Sequence, residues 1–236
     1  MKAFLYSAAS FFVLCAAAQA DPQACGIPAA TVSSLQAQLA AVVNLPDYNG
    51  GIFQPNLMWS AIVDRSGILC SVIKTGDAWP GSRAIAIAKA ETANDFSNSK
   101  LALSTANLYA ATQPGGSLYG LNNSNPFNPS YNTIRPSGSP PANGNDGVGQ
   151  NPGGVITFGG GVALYSSGQV IGGLGVSGDS ACADHAIAYR MRHNAGLDVI
   201  PGGVGPGGTD NISYAAVGTP PTGFQHPHCF PNDITP

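Results

Sequence analysis

Two short clusters concentrate the side chains of this 236-residue chain that could do chemistry. One is Cys182-x-x-His185, with Asp184 between; the other is His226-Pro-His228-Cys229. Thiolate and imidazole donors at this spacing are the ligand types of zinc and related metals, and His185, His226 and His228 are the candidate metal ligands. Arg190, Arg192 and His193 follow on the same segment as His185, and Tyr109, Tyr119 and Tyr131 add phenols. Nucleophilic catalysis is poorly signalled. There is no G-x-S-x-G elbow, and Asp184 and His185 are adjacent, so on a helix they point to different faces. Glu91 is the sole glutamate, which argues against a paired-carboxylate hydrolase. No catalytic residue is therefore assigned.

The cysteines have a second reading. Lys2, the apolar run from Ala3 to Ala18 and the small-x-small pattern Ala18-Gln19-Ala20 read as a signal peptide, residues 1–20, cleaved before Asp21. The expected location is the periplasm or the external medium, with no membrane span left after cleavage. Loss of Lys2 moves the formal charge from −3 to −4, with no basic patch, so nucleic acid is not an expected partner. Cys15 leaves with the leader. Cys25, Cys70, Cys182 and Cys229 remain, an even count that reads as two disulfides with three connectivities. Cys25–Cys70 with Cys182–Cys229 is preferred, because each bridge joins a flank to a nearby core segment. Disulfide formation in an oxidising compartment competes with the zinc reading.

The elements that must position these residues follow from periodicity and breakers. Val32, Leu35, Leu39 and Val42 recur at helical spacing in residues 29–43. Residues 57–75 read as a hairpin about Arg65-Ser66-Gly67. Residues 80–96 form a second helix, rich in alanine, and 101–112 a short third one. Residues 154–158 read as a strand, 161–165 and 169–176 as a hairpin about Ser166-Ser167-Gly168, and Ser177 to Ser180 cap a helix ending at Gly196. Gly172-Gly173-x-Gly175 falls inside a strand and opens no helix, so it is no dinucleotide fingerprint. Two stretches stand apart: a Pro/Gly/Asn-rich insertion at about 113–152 and a loop-rich extension at 197–236. The order of elements gives an α+β single domain, residues 21–196, with helices flanking an antiparallel sheet.

Several of these segments resemble the GlcG/HbpS haem-binding family. The resemblance rests on Gly153-Gly154-Val155-Ile156, on Ser167 through Gly178 (SGQVIGGLGVSG), on Asp184 opening a helix, on Ala61 through Gly67 (AIVDRSG) and on Ser82 through Ala90 (SRAIAIAKA). It implies a profilin-like, five-stranded antiparallel sheet flanked by helices, assembly into a homo-oligomer, and haem as the cofactor. His185, His226 and His228 then become candidate axial ligands, Arg190 a partner for a propionate, and Tyr131 a further contact. The insertion, the four cysteines and the histidine-bearing tail depart from the family pattern. The implied function is haem capture, storage or sensing outside the cytoplasm. The alternatives are an exported structural or protein-binding module without catalysis and, behind it, a corrinoid-related or other small-molecule enzyme.

Overall fold

The computed structural model describes residues 24–128 and 147–236. The proposed leader and Tyr131 lie outside these residues. Four strands form one antiparallel sheet in the order β2-β1-β4-β3: β1 (Trp59–Asp64), β2 (Leu69–Lys74), β3 (Gly161–Ser166) and β4 (Gln169–Ser177). The helices are α1 (Ala29–Val42), α2 (Ser82–Asp95), the single turn α3 (Tyr109–Thr112) and α4 (Ala181–Asn194). The α+β fold, the two hairpins and three of the helices therefore stand as the periodicity implied.

Strand alternation sorts the core into two layers. Ile62 of β1 with Leu174 and Val176 of β4 faces Leu35, Leu39, Ile187 and Met191 of α1 and α4. Trp59, Ala61 and Val63 face the opposite way, onto Ala86, Ile87 and Ala90 of α2. Where β4 passes under α2 its side chains vanish. A Cβ at Gly173 or Gly175 would fall far inside contact distance of the Ala90 or Ala86 carbonyl oxygen, and one at Gly161 on that of Lys89. These glycines, paired across β3 and β4 as Gly161↔Gly175, let the α2 backbone lie directly on the sheet.

Two expected elements differ. The stretch 154–158, expected as a strand, runs outside the sheet: the Ile156 N–H donates to Thr92 Oγ1 of α2 at 2.9 Å, and Val155 and Thr157 are buried. The sheet thus has four strands among the described residues rather than five. Residues 101–108, expected as helix, are held by side chains instead. Thr105 Oγ1 donates to the Phe158 carbonyl at 2.7 Å, Asn107 Oδ1 accepts the Ser104 N–H at 3.0 Å, and Asn107 Nδ2 reaches the Asn211 carbonyl at 3.1 Å. Ser, Thr and Asn offer the backbone these alternatives to a helix ladder, and here they prevail.

The preferred cysteine pairing is the one formed. Cys25–Cys70 fastens the segment ahead of α1 to β2, and Cys182–Cys229 fastens the tail to α4. The glycine contact gives a test. Gly175→Ala is expected to cost about 1–3 kcal/mol or more in urea unfolding. Gly81→Ala, at a negative φ with open space around it, should stay within about 0.5 kcal/mol of the parent. Equal midpoints for the two variants would remove the close-approach argument.

Candidate functional site

The chemistry-bearing residues gather where α2, the N-terminus of α4 and the C-terminal tail meet. Ser180 caps α4, its side chain accepting the Ala183 N–H at 3.1 Å. One turn on, Asp184 Oδ1 accepts the N–H groups of Gly178 and Asp179, at 3.1 and 3.0 Å, while Oδ2 meets Lys89 Nζ at 2.6 Å. Lys89 also donates to the Val176 carbonyl at 3.1 Å and lies 4.7 Å from the Phe158 ring centroid. Both partners are buried. Burial pushes the lysine down and the aspartate up, the latter to about 6, and the mutual contact opposes both shifts. This pair ties α2 to α4 across the end of β4.

The histidines beside it separate into two kinds. His185 is fully buried, and burial pushes it down to about 3, so it is neutral. Its Nε2 stands 3.0 Å from the Ile212 N–H and 3.1 Å from Asn211 Oδ1; its Nδ1 is buried with no hydrogen bond. His226 is also buried and pushed down to about 4, again chiefly by burial. Its Nδ1 donates to the Pro227 carbonyl at 2.7 Å, and its Nε2 accepts the Gly159 N–H at 3.3 Å. Gly159 lies between the two: a Cβ there would stand 3.0 Å from the His185 Cβ. Both Nε2 atoms are thus engaged by main chain, and either would have to give up an amide to take an iron.

His228 is of the other kind. It is partly exposed, stacks on Tyr214 at 4.3 Å with 16° between the rings, and turns Nδ1 toward Asp233 Oδ2 at 3.4 Å. Its Nε2 makes no hydrogen bond among the described residues. His193, near the other end of α4, is largely exposed and bonds Asp198 at 2.6 Å. Arg190 is committed elsewhere. It grips Asp47 with two bonds, 2.6 and 3.0 Å, and Asn49 Oδ1 with a third at 2.6 Å. This guanidinium holds the Asp47 carboxyl below its ordinary range. Arg192 is buried in a two-bond pair with Asp210, each bond 2.6 Å, and donates to the Ala163 carbonyl. The structure therefore brings His185 and His226 against one glycine and places His228 farther along the tail. Arg190 is taken into an ion pair beside α1.

A cleft of about 490 Å³ opens next to this corner, within the range of small-molecule sites. Tyr109, Ala110, Ala111 and Pro114 line one side and Pro220 and Pro221 the other. The Tyr109 ring packs on His226, centroids 4.8 Å apart, and its hydroxyl makes no hydrogen bond among the described residues. Tyr109 was one phenol among several in the sequence. Only the fold of the tail, through His226, sets it beside the histidines.

The sheet and the helices packed on it have known counterparts. The family model described as "Haem degrading protein HbpS-like" matches residues 56–192, more than half of the sequence. The chain belongs to the HbpS-like family. That match takes in α2, the sheet and α4, and leaves out Cys25, His226, His228 and Cys229. The corrinoid adenosyltransferase PduO of Citrobacter freundii is 34% identical over 130 residues, 54% of this chain but 29% of PduO, so the chain spans under a third of that relative. Among solved structures, the PduOC:heme complex is 26% identical, with TM-score 0.50, covering 71% of this chain and 94% of that one. The Klebsiella pneumoniae protein ORFY, at 23% identity, TM-score 0.51, and 75% and 96% coverage, shares the fold.

One acid stands out away from the histidines. Glu91, on α2, is 3% exposed beneath the β1–β2 turn, with Oε2 lacking a partner among the described residues. Burial first, then the charges of Asp95 and Asp64, push it up to about 8; a bond from Asn151 opposes. The sequence marked it only as the sole glutamate, because the turn that covers it comes from another segment. A carboxyl raised in the folded state is protonated there while the unfolded chain is already ionised, so stability falls as pH rises from about 4.5 to about 8 and then levels. Asp95, also raised by burial, acts in the same direction. Glu91→Gln should remove most of this slope. Relative to the parent, the variant should gain on the order of 3–5 kcal/mol between pH 4.5 and 9, at 1.36 kcal/mol per pKa unit. Denaturant unfolding of both proteins across that range is the measurement; a pH-independent difference would refute the assignment.

Proposed function

We propose that this chain is an exported haem-binding protein that captures, stores or senses haem. The observation that carries the reading is the extent of the fold shared with the PduOC domain, 94% of which is covered and whose structure is a haem complex. The family description, which names haem degradation, points to the same ligand. Export is supported by the leader-like N-terminus and by two disulfides, which form and persist in oxidising compartments. Assembly into a homo-oligomer belongs to the same proposal. Among the described residues no helix is long and apolar enough to cross a membrane.

The donor chemistry available here fits haem. Haem supplies an iron whose axial positions accept histidine, tyrosine, cysteine or methionine. The cysteines described are disulfide-bonded, and His185 and His226 have Nε2 committed to main chain. His228 and Tyr109 present an unengaged ring nitrogen and an unengaged phenol. The Tyr214 stack holds the His228 ring, with the Asp233 carboxylate 3.4 Å from Nδ1. The alanines and prolines of the Tyr109 cleft offer apolar surface for a macrocycle. Arg190, held by Asp47 and Asn49, would have to leave both to meet a propionate.

Haemin titration of the mature protein, followed at the Soret band, is the test. The parent should give a saturable shift, and Tyr109→Phe or His228→Ala should weaken binding by about tenfold or more. A shift unchanged in both variants would move the ligand to Tyr131 or to an interface between copies. No saturable shift in the parent would sink the haem reading.

A further inference from the structure

Cys182, Cys229 and His226 offer three metal-ligating atoms all within 4.8 Å of one another. In the oxidised protein two of them are spent in the Cys182–Cys229 bond. We propose that reduction of this disulfide creates a three-ligand site for Zn²⁺ or a similar thiophilic divalent ion, so that the corner has two exclusive states: disulfide without metal, or dithiolate with metal.

Four features prepare the site. In a tetrahedral zinc centre, metal–ligand distances of about 2.0–2.3 Å put neighbouring ligand atoms roughly 3.5–3.8 Å apart. The observed cluster reaches that spacing through side-chain rotation once the sulfurs separate. His226 already holds the form such a ligand takes. Its Nδ1–H is donated to the Pro227 carbonyl at 2.7 Å, which fixes the ring and leaves Nε2 as the donor atom. The only hydrogen bond to that Nε2 among the described residues, which a metal would displace, is from the Gly159 N–H at a long 3.3 Å, whereas His185 Nε2 lies 3.0 Å from its amide. Finally, the sulfurs lie at the N-terminus of α4, a 14-residue helix, and the Cys182 N–H points at Cys229 Sγ at 3.2 Å. Unpaired amides and the positive helix end stabilise thiolates. Three protein ligands leave the fourth position to water or an exogenous ligand.

The second cysteine pair lacks this preparation. Asp64, which completes a cluster with Cys25 and Cys70, already accepts three main-chain N–H groups, from Gly26, Ser66 and Ile68. Its carboxylate is spent on the hairpin turn. His228, part of the expected metal set, is turned to Tyr214 and Asp233 instead.

The step balances with a dithiol reductant. Thiol–disulfide exchange oxidises that dithiol to a disulfide and delivers two electrons and two protons to Cys182 and Cys229. Binding of M²⁺ then releases the two thiol protons. Reoxidation by a disulfide of the same class reverses the sequence and expels the ion.

The test uses the mature full-length chain reduced by a phosphine, with Zn²⁺ measured by competition against a chromophoric chelator and Co²⁺ as a spectroscopic probe. The reduced parent should bind one more equivalent of Zn²⁺ than the reduced Cys182→Ser/Cys229→Ser variant, and Co²⁺ should show thiolate charge-transfer absorption. Reoxidation should release the metal. His226→Gln should weaken binding at least about tenfold while His228→Gln leaves it unchanged, circular dichroism confirming that both are folded. Equal zinc uptake by reduced and oxidised parent would overturn the proposal, as would full affinity in folded His226→Gln. Haemin is absent throughout, so the outcome is independent of the haem titration.

Discussion

The architecture rests on one close approach: the backbone of α2 lies on the backbone of β4 with no side chains between. Gly161, Gly173 and Gly175 clear the sheet surface, and Ala86 and Ala90 carry almost nothing on the helix side. A helix held at ordinary distance would leave a slab of void that larger side chains would have to fill. Held this close, α2 has fixed rotation, and its longer side chains can leave only around the edges of the contact. Lys89 exits toward the end of β4 and finds Asp184; Thr92 exits toward the 154–157 segment; Glu91 exits under the hairpin turn. The directions of Lys89, Thr92 and Glu91 are therefore set by glycines that do no chemistry.

Buried charge then locks what packing has placed. Lys89–Asp184 joins α2 to α4, and Arg192–Asp210 joins α4 to the extension. Such pairs contribute little net stability against a hydrophobic replacement, yet breaking one partner leaves a buried charge at a cost of about 3–5 kcal/mol. They penalise any alternative docking of α4, which suits a helix that carries His185 and one half of a disulfide.

The parts legible in sequence were those governed by local rules. Hairpin turns, amphipathic spacing and the Ser180 cap gave the two hairpins, and three helices within one or two residues of their ends. The cysteine pairing followed from chain neighbourhood. The misreadings share a cause: the deciding partner lay far away in sequence. Val155 and Ile156 have strand-like composition, but Thr92 of α2 takes the Ile156 N–H and the sheet does not. Ser104, Thr105 and Asn107 read as tolerable in a helix until Phe158 and Asn211 are within reach. The same holds for the site. Nothing in His226-Pro-His228 reveals that the first histidine is buried and bonded to Gly159 while the second stays open on a stacked tyrosine. The resemblance to haem-binding relatives came from the glycine-rich strand, which builds the scaffold, whereas the tail histidines lie beyond the matched region.

Among the described residues the two bridges join consecutive cysteines, first with second and third with fourth, spanning 45 and 47 residues. A polypeptide delivered from its N-terminus presents Cys25 and Cys70 long before Cys182 appears. The first pair can close before Cys182 or Cys229 emerges, and those two then meet each other. Order of arrival then favours the pairing observed. The residues between Cys70 and Cys182 set the interval that separates the two pairs along the chain.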